Sequence, residues 1–146
     1  MIALDTNMLV YAHRKDSPWH REASVILQRL AEGAAPWAIP WHCVHEFIGI
    51  VTHPGIYKPP TPLEVAIHDL ESWFASPSLR LIGEPPAYWR GISNVIRAGA
   101  VAGPLVHDAR VVAVCLAHGV SALLSADRDF SRFPALTVRN PLVSRG

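Results

Sequence analysis

Met1-Ile2-Ala3-Leu4-Asp5-Thr6-Asn7 and Val120-Ser121-Ala122-Leu123-Leu124-Ser125-Ala126-Asp127 decide the fold between them. Each is a short, almost wholly apolar run that ends near a carboxylate. A strand that is apolar without alternation has both faces covered, which is the mark of a parallel sheet between helical layers. Two further runs, residues 37–39 and 79–82, read as strands of the same kind, and residues 136–138 as a fifth at the sheet edge.

Helical patterns fill the intervals. Ser17-Pro18 has the form of an N-cap followed by proline at the first helical position, opening a helix that Gly33 ends. Residues 42–52 carry a 3.6-period apolar stripe, and Thr61-Pro62-Leu63-Glu64 matches a capping box ahead of a helix to about residue 75. Pro85-Pro86 starts another helix, which fades into the Gly- and Ala-rich stretch 98–103. Residues 109–118 are apolar almost all round, so they form a buried helix that Asp108 opens and Gly119 stops. Strands alternating with helices give an α/β class: a three-layer α/β/α sandwich with a short, mainly parallel central sheet. The Pro-rich loop at 53–62 divides the chain into halves too small to stand alone, so residues 1–146 are read as a single domain.

Composition narrows the class. Half of the 146 residues are apolar and 17% are charged, which excludes wholesale disorder. No apolar run approaches the roughly 18 residues of a membrane span, and Asp5 interrupts any secretory leader at once, so a cytoplasmic location and no membrane partner are expected. Cys43 and Cys115 lie in apolar helical contexts and read as buried free thiols. A net charge of +1 neither supports nor excludes a nucleic-acid substrate, since carboxylates gathered in a pocket mask basic residues elsewhere.

The acids carry the functional argument. In an open parallel sheet, the carboxyl ends of strands and the amino ends of helices line one crevice. Asp5, Asp108 and Asp127 stand at such places, and Glu46 lies early in its helix. Taken singly, each has an ordinary explanation. Asp5 could cap the next helix, Asp108 its own helix, Asp127 could open a turn with Arg128 and Asp129, and Glu46 could be a solvated residue favoured by the helix dipole. Gathered together, they repel one another and need Mg2+ or Mn2+, hard cations that take oxygen ligands. Phosphodiester hydrolysis by metal-activated water is the chemistry that fits. Zinc does not fit: His42 and His45, three apart, have no further ligand placed by spacing, and His-Glu-x-x-His is absent. His107 reads as a surface residue at a helix start, and Trp19 and Trp41 as core or interface residues with base stacking as the minority reading. A haloacid-dehalogenase-type phosphatase needs an acid where Asn7 stands. A receiver domain needs a late lysine, and the only lysines are Lys15 and Lys58.

Leu4-Asp5-Thr6-Asn7, Glu46 in its helix, His107-Asp108-Ala109 and Ser125-Ala126-Asp127-Arg128-Asp129-Phe130, in this order and spacing, resemble the PIN domain in the VapC toxin branch of bacterial toxin–antitoxin pairs. The resemblance implies a Mg2+- or Mn2+-dependent endoribonuclease acting on RNA, held inactive by a cognate antitoxin protein, and a homodimer. It implies catalytic and metal roles for Asp5, Glu46, Asp108 and Asp127, with Asn7 a polar neighbour and Ser125 orienting Asp127. Asp129 shares or replaces the fourth acid. Arg110 and Arg128, which flank two acids, would hold phosphate or an antitoxin carboxylate. The alternative within the same fold is a catalytically silent RNA- or protein-binding module.

Overall fold

The computed structural model describes residues 1–143; the single-domain expectation extends to residue 146, and its last three positions lie outside the described residues. Five strands form one sheet in the order β3-β2-β1-β4-β5: β1 (Ile2–Leu4), β2 (Trp37–Pro40), β3 (Leu79–Ile82), β4 (Ala122–Leu124) and β5 (Val138–Arg139). Every pairing is parallel, with Ala3 opposite Ala38 on one side and Leu123 on the other. Ala3, Leu4, Trp37, Ala38, Ile39 and Leu123 are fully buried, as strands covered on both faces must be.

The helices are α1 (Thr6–His13), α2 (His20–Glu32), α3 (Trp41–Val51), α4 (Leu63–Phe74), α5 (Tyr88–Gly99) and α6 (Leu105–Ala117). Strand order rises outward from β1 to β3 and then returns to β4 on the other side of β1. Right-handed crossovers therefore place α1–α4 on one face and α5–α6 on the other, which makes the α/β/α sandwich. The order reverses between β1 and β4, and a crevice opens there at the carboxyl ends of the strands.

Several local expectations need correction. Helix α1 has consecutive buried residues, Met8, Leu9 and Val10, so it shows no one-sided stripe for periodicity to find. Helix α2 begins at His20 and not at Pro18; the Ser17 hydroxyl accepts from the Trp19 amide in a turn before it. Thr61 forms no capping box: Pro62 is the N-cap of α4, and the Thr61 hydroxyl binds His13 and Arg14 instead. Helix α6 starts at Leu105, so Asp108 does not open it but lies within its first turn. Gly103, at φ +62°, breaks the chain direction, and Pro104 is tolerated at a helix start because its missing N–H would have no partner there. The edge strand begins at Val138, two residues later than 136–138 placed it, and a 3-10 helix at Arg128–Arg132 precedes it.

Helix α5 ends unusually. Ala100, not a glycine, takes the left-handed position at φ 47°, while Gly99 precedes it. A Cβ on Gly99 would stand 3.1 Å from the Arg132 carbonyl oxygen, so the glycine serves the close approach of the 3-10 helix and leaves alanine to make the turn.

Candidate active site

Asp5 follows β1 and stands at the N-cap position of α1, yet its side chain makes no capping bond. Its Oδ2 instead accepts from the Ser125 hydroxyl at 2.7 Å, and more weakly from Asn7 Nδ2 at 3.4 Å; Cys43 Sγ lies 3.6 Å from Oδ1. Capping does not explain this residue. Only 6% exposed, Asp5 has its carboxyl pushed above the ordinary value by burial, against the opposing pull of the Ser125 hydrogen bond.

Ser125 ties the site together across the switch point. Besides donating to Asp5, its oxygen accepts from Asn7 Nδ2 at 3.1 Å and from the Asp127 amide at 3.0 Å, while Asn7 Oδ1 accepts from the Ala126 amide at 3.2 Å. Ser125 thus orients both Asp5 and the segment carrying Asp127. Ser125→Ala removes the acceptor of two donors and the nearest donor to a buried carboxylate. It is expected to weaken Mn2+ affinity about 10- to 100-fold, as loss of a group that orients metal ligands does; calorimetric titration beside a Ser125→Thr control, expected near wild type, checks it.

Asp127 Oδ1 accepts from the Asp129 amide at 2.9 Å and so caps the 3-10 helix, which leaves its other oxygen free of that duty. The turn-opening reading of Asp127 therefore holds, and it leaves the residue at the pocket wall. Asp108, half-buried on α6, joins them: among the described residues, Asp108, Asp127 and Asp129 each offer an oxygen within 4.8 Å of the others. Burial, and then the nearby charges of Asp127, Asp5, Asp129 and Glu46, raise Asp108 to about 6.

Glu46 reaches the same pocket from α3. His42, one turn earlier, sets its Nε2 at 3.5 Å from Glu46 Oε2, and that hydrogen bond holds the carboxyl below its ordinary value. His42 stacks on His107 with ring centres 6.0 Å apart and planes within 2° of parallel. His45, by contrast, lies against the Trp41 ring, so the two histidines do not share a task.

A pocket of about 310 Å³ is lined by all four acids, Asp5, Glu46, Asp108 and Asp127, together with Thr6, Asn7 and His42. Thr6 Oγ1 is, among the described residues, a buried side-chain polar atom without a hydrogen-bond partner. An unpaired oxygen beside crowded carboxylates is the donor chemistry of a hard divalent cation or its water shell, so the residues fit such an ion.

Other expected residues sit elsewhere. Arg110 is held by Glu84, with Nε and Nη2 at 2.8 and 2.7 Å from its Oε1, and does not line the pocket. Arg128 is exposed on the 3-10 helix beside a second depression that also contains Ser125 and Asp127. Sequence reasoning missed His42, Thr6, Tyr11 and Tyr57 as pocket residues. The spacing of four between His42 and Glu46 was the available signal for the first, and Tyr57 gave none, since only the tertiary fold brings its loop to α1.

The PIN domain family matches residues 2–136. The chain is 31% identical over 137 residues to Ribonuclease VapC48 of Mycobacterium tuberculosis, an alignment covering 94% of each. Among solved structures it is similar to VapBC2 of Rickettsia felis, crystallised with a DNA fragment from its promoter (TM-score 0.66, 21% identity, 96% and 98% covered). It is also similar to VapC20 of Mycobacterium tuberculosis, a sarcin-ricin loop cleaving toxin (TM-score 0.64, 16% identity, 90% and 93% covered). The structural likenesses speak to fold. No helix among the described residues is long and apolar enough to cross a membrane.

Proposed function

The chain belongs to the PIN domain family, and on that premise we propose that it is an endoribonuclease, dependent on Mg2+ or Mn2+, that acts as the toxin of a toxin–antitoxin pair. The observation that supports this best is the meeting of Asp5, Glu46, Asp108 and Asp127, drawn from four elements, in one pocket at the carboxyl edge of a parallel sheet. The reading takes the chain as one domain, cytoplasmic, working as a homodimer and restrained by its cognate antitoxin.

In this reading Asp5, Asp108 and Asp127 hold the ion, with Asp129 close enough to share the task and Glu46 completing the acidic rim. When bound, the ion supplies an activated water and neutralises charge on the phosphate. The residues do the rest. Ser125 and Asn7 fix the Asp5 carboxylate so that it need not reorganise as charge develops. His42 holds the Glu46 carboxyl below its ordinary value, which favours the charged, hydrogen-bond-accepting form of its oxygens. Arg128, exposed beside Asp127, is the cation placed to meet RNA phosphate or an antitoxin carboxylate, whereas Arg110 is committed to Glu84.

Purified protein is expected to cleave RNA with Mg2+ or Mn2+ and to stop on chelation. Expression without antitoxin is expected to arrest bacterial growth, with Asp5→Asn relieving the arrest. Absence of any divalent-dependent cleavage from a panel of folded and single-stranded RNAs would sink the nuclease reading. Normal growth alone would remove only the toxin role.

A further inference from the structure

The pocket has a second half that the acids do not use. From Asn7, the next turn of α1 brings Val10 and Tyr11 to the lining; from His42 and Glu46, the same stripe of α3 continues to Ile50. Both helices thus run from polar groups to apolar ones over a single turn, roughly 5.4 Å. Tyr57, from the loop between α3 and α4, closes this half.

That loop is pinned. Arg14, at the end of α1, lies 4.2 Å over the Tyr57 ring. Its guanidinium donates to Asp16 at 2.9 and 2.5 Å and to the Pro59 carbonyl at 3.0 Å. His13 adds contacts to Asp69 at 2.5 Å and Thr61 at 2.8 Å. A clamped cation over the Tyr57 ring restrains it where it lines the pocket. Tyr11 packs against Trp19, which is 43% exposed, in a tilted contact with ring centres 5.1 Å apart.

We infer that Tyr11 and Tyr57 form a base-stacking subsite, which takes one unpaired nucleobase of RNA adjoining the phosphate at the acidic end. This deepens the nuclease reading and rests on it for the phosphate. A nucleotide joins a charged phosphate to a flat apolar base through one ribose, and the cleft repeats that order: acids, then one helical turn, then aromatic rings. At about 310 Å³ the pocket stands at the small end of ligand sites, roughly 300–1,000 Å³, which suits a single base and not a partner helix. Stacking tolerates any base, so the subsite demands an unstacked nucleotide more than a particular letter.

The test uses short single-stranded RNAs carrying 2-aminopurine at one position and non-cleavable methylenephosphonate linkages, titrated with the full chain in Mn2+ so that the acidic end can meet phosphate while cleavage does not intervene. Tyr11 and Tyr57 are each replaced by Phe, which keeps the ring, and by Leu, which keeps apolar bulk and secures folding. Wild type and Phe variants are expected to quench the fluorophore; Leu variants are expected to lose the quench and bind about 5- to 100-fold more weakly, the range of one stacked base. Absent quenching by wild type at every position, or equal quenching by Leu and Phe variants, overturns the subsite. So does RNA binding that is unchanged in the Leu variants while binding of a cognate antitoxin is lost, which would assign the rings to protein. Because the readout needs no cleavage, loss of the nuclease reading would leave this result standing, and the reverse.

Discussion

Asp5→Asn is expected to lower RNA cleavage by at least about a thousandfold, roughly 4 kcal/mol of transition-state stabilisation, while the protein stays folded. Asparagine has the same shape, and its Oδ1 can still accept from the Ser125 hydroxyl that now lies 2.7 Å from Asp5 Oδ2. What it lacks is the charge. In the metal-free protein that charge is a burden, since burial pushes the Asp5 carboxyl above its ordinary value. Single-turnover cleavage with Mn2+, set beside a thermal melt, separates the two effects. Wild-type cleavage by the Asn variant would remove Asp5 from the machinery. Lost cleavage with a collapsed melt would leave its role structural.

The second large effect has opposite signs in two measurements. Asp108 is pushed up to about 6 from the ordinary carboxylate value, chiefly by burial and then by Asp127 and its other acidic neighbours. The metal-free folded state therefore holds this proton more tightly than the unfolded chain does. Its stabilising contribution is complete below about pH 4 and disappears as pH climbs through 6. Asp108→Asn is expected to abolish that decline and to raise the melting temperature at neutral pH. The gain is about 1 kcal/mol once solvent screening at a half-exposed group is allowed for. Divalent binding moves the other way. The wild-type gain in melting temperature on adding Mn2+ should grow as pH passes 6, where Asp108 ionises, and shrink severalfold in the Asn variant. A wild-type Mn2+ effect that is flat from pH 5 to 8 would show that Asp108 does not hold the ion.

Much of this site was legible because strand ends and carboxylates coincide in the sequence. The runs before Asp5 and Asp127 announce both a parallel sheet and its functional edge, and β3 falls where its apolar run predicts. What escaped did so for identifiable reasons. Helix α1 is buried on consecutive residues, so its period is hidden. The start of α6 was displaced by four residues because Asp108 resembles an N-cap, while Pro104 and Gly103 set the boundary. Thr61-x-x-Glu64 has the right letters for a capping box, but a buried histidine and an arginine compete for the hydroxyl and win. The resemblance put Asp127 first as the fourth acid with Asp129 sharing or replacing it, and the 3-10 turn that Asp127 caps brings Asp129 within reach of Asp127 and Asp108. Contacts of that kind depend on the tertiary fold and leave little periodic trace.

The bond between Asp5 and Ser125 joins residues 120 positions apart, and β4 slots in beside β1 only when residues 122–124 are available. During translation, Asp5 therefore lacks its serine, its Asp127 and its neighbouring strand until the 120 positions that separate it from Ser125 have been made. Nascent fragments are expected to be inert. A protein proposed to destroy RNA is thus built so that its cutting centre comes together only after the distant segment that carries Ser125 and Asp127 has been made.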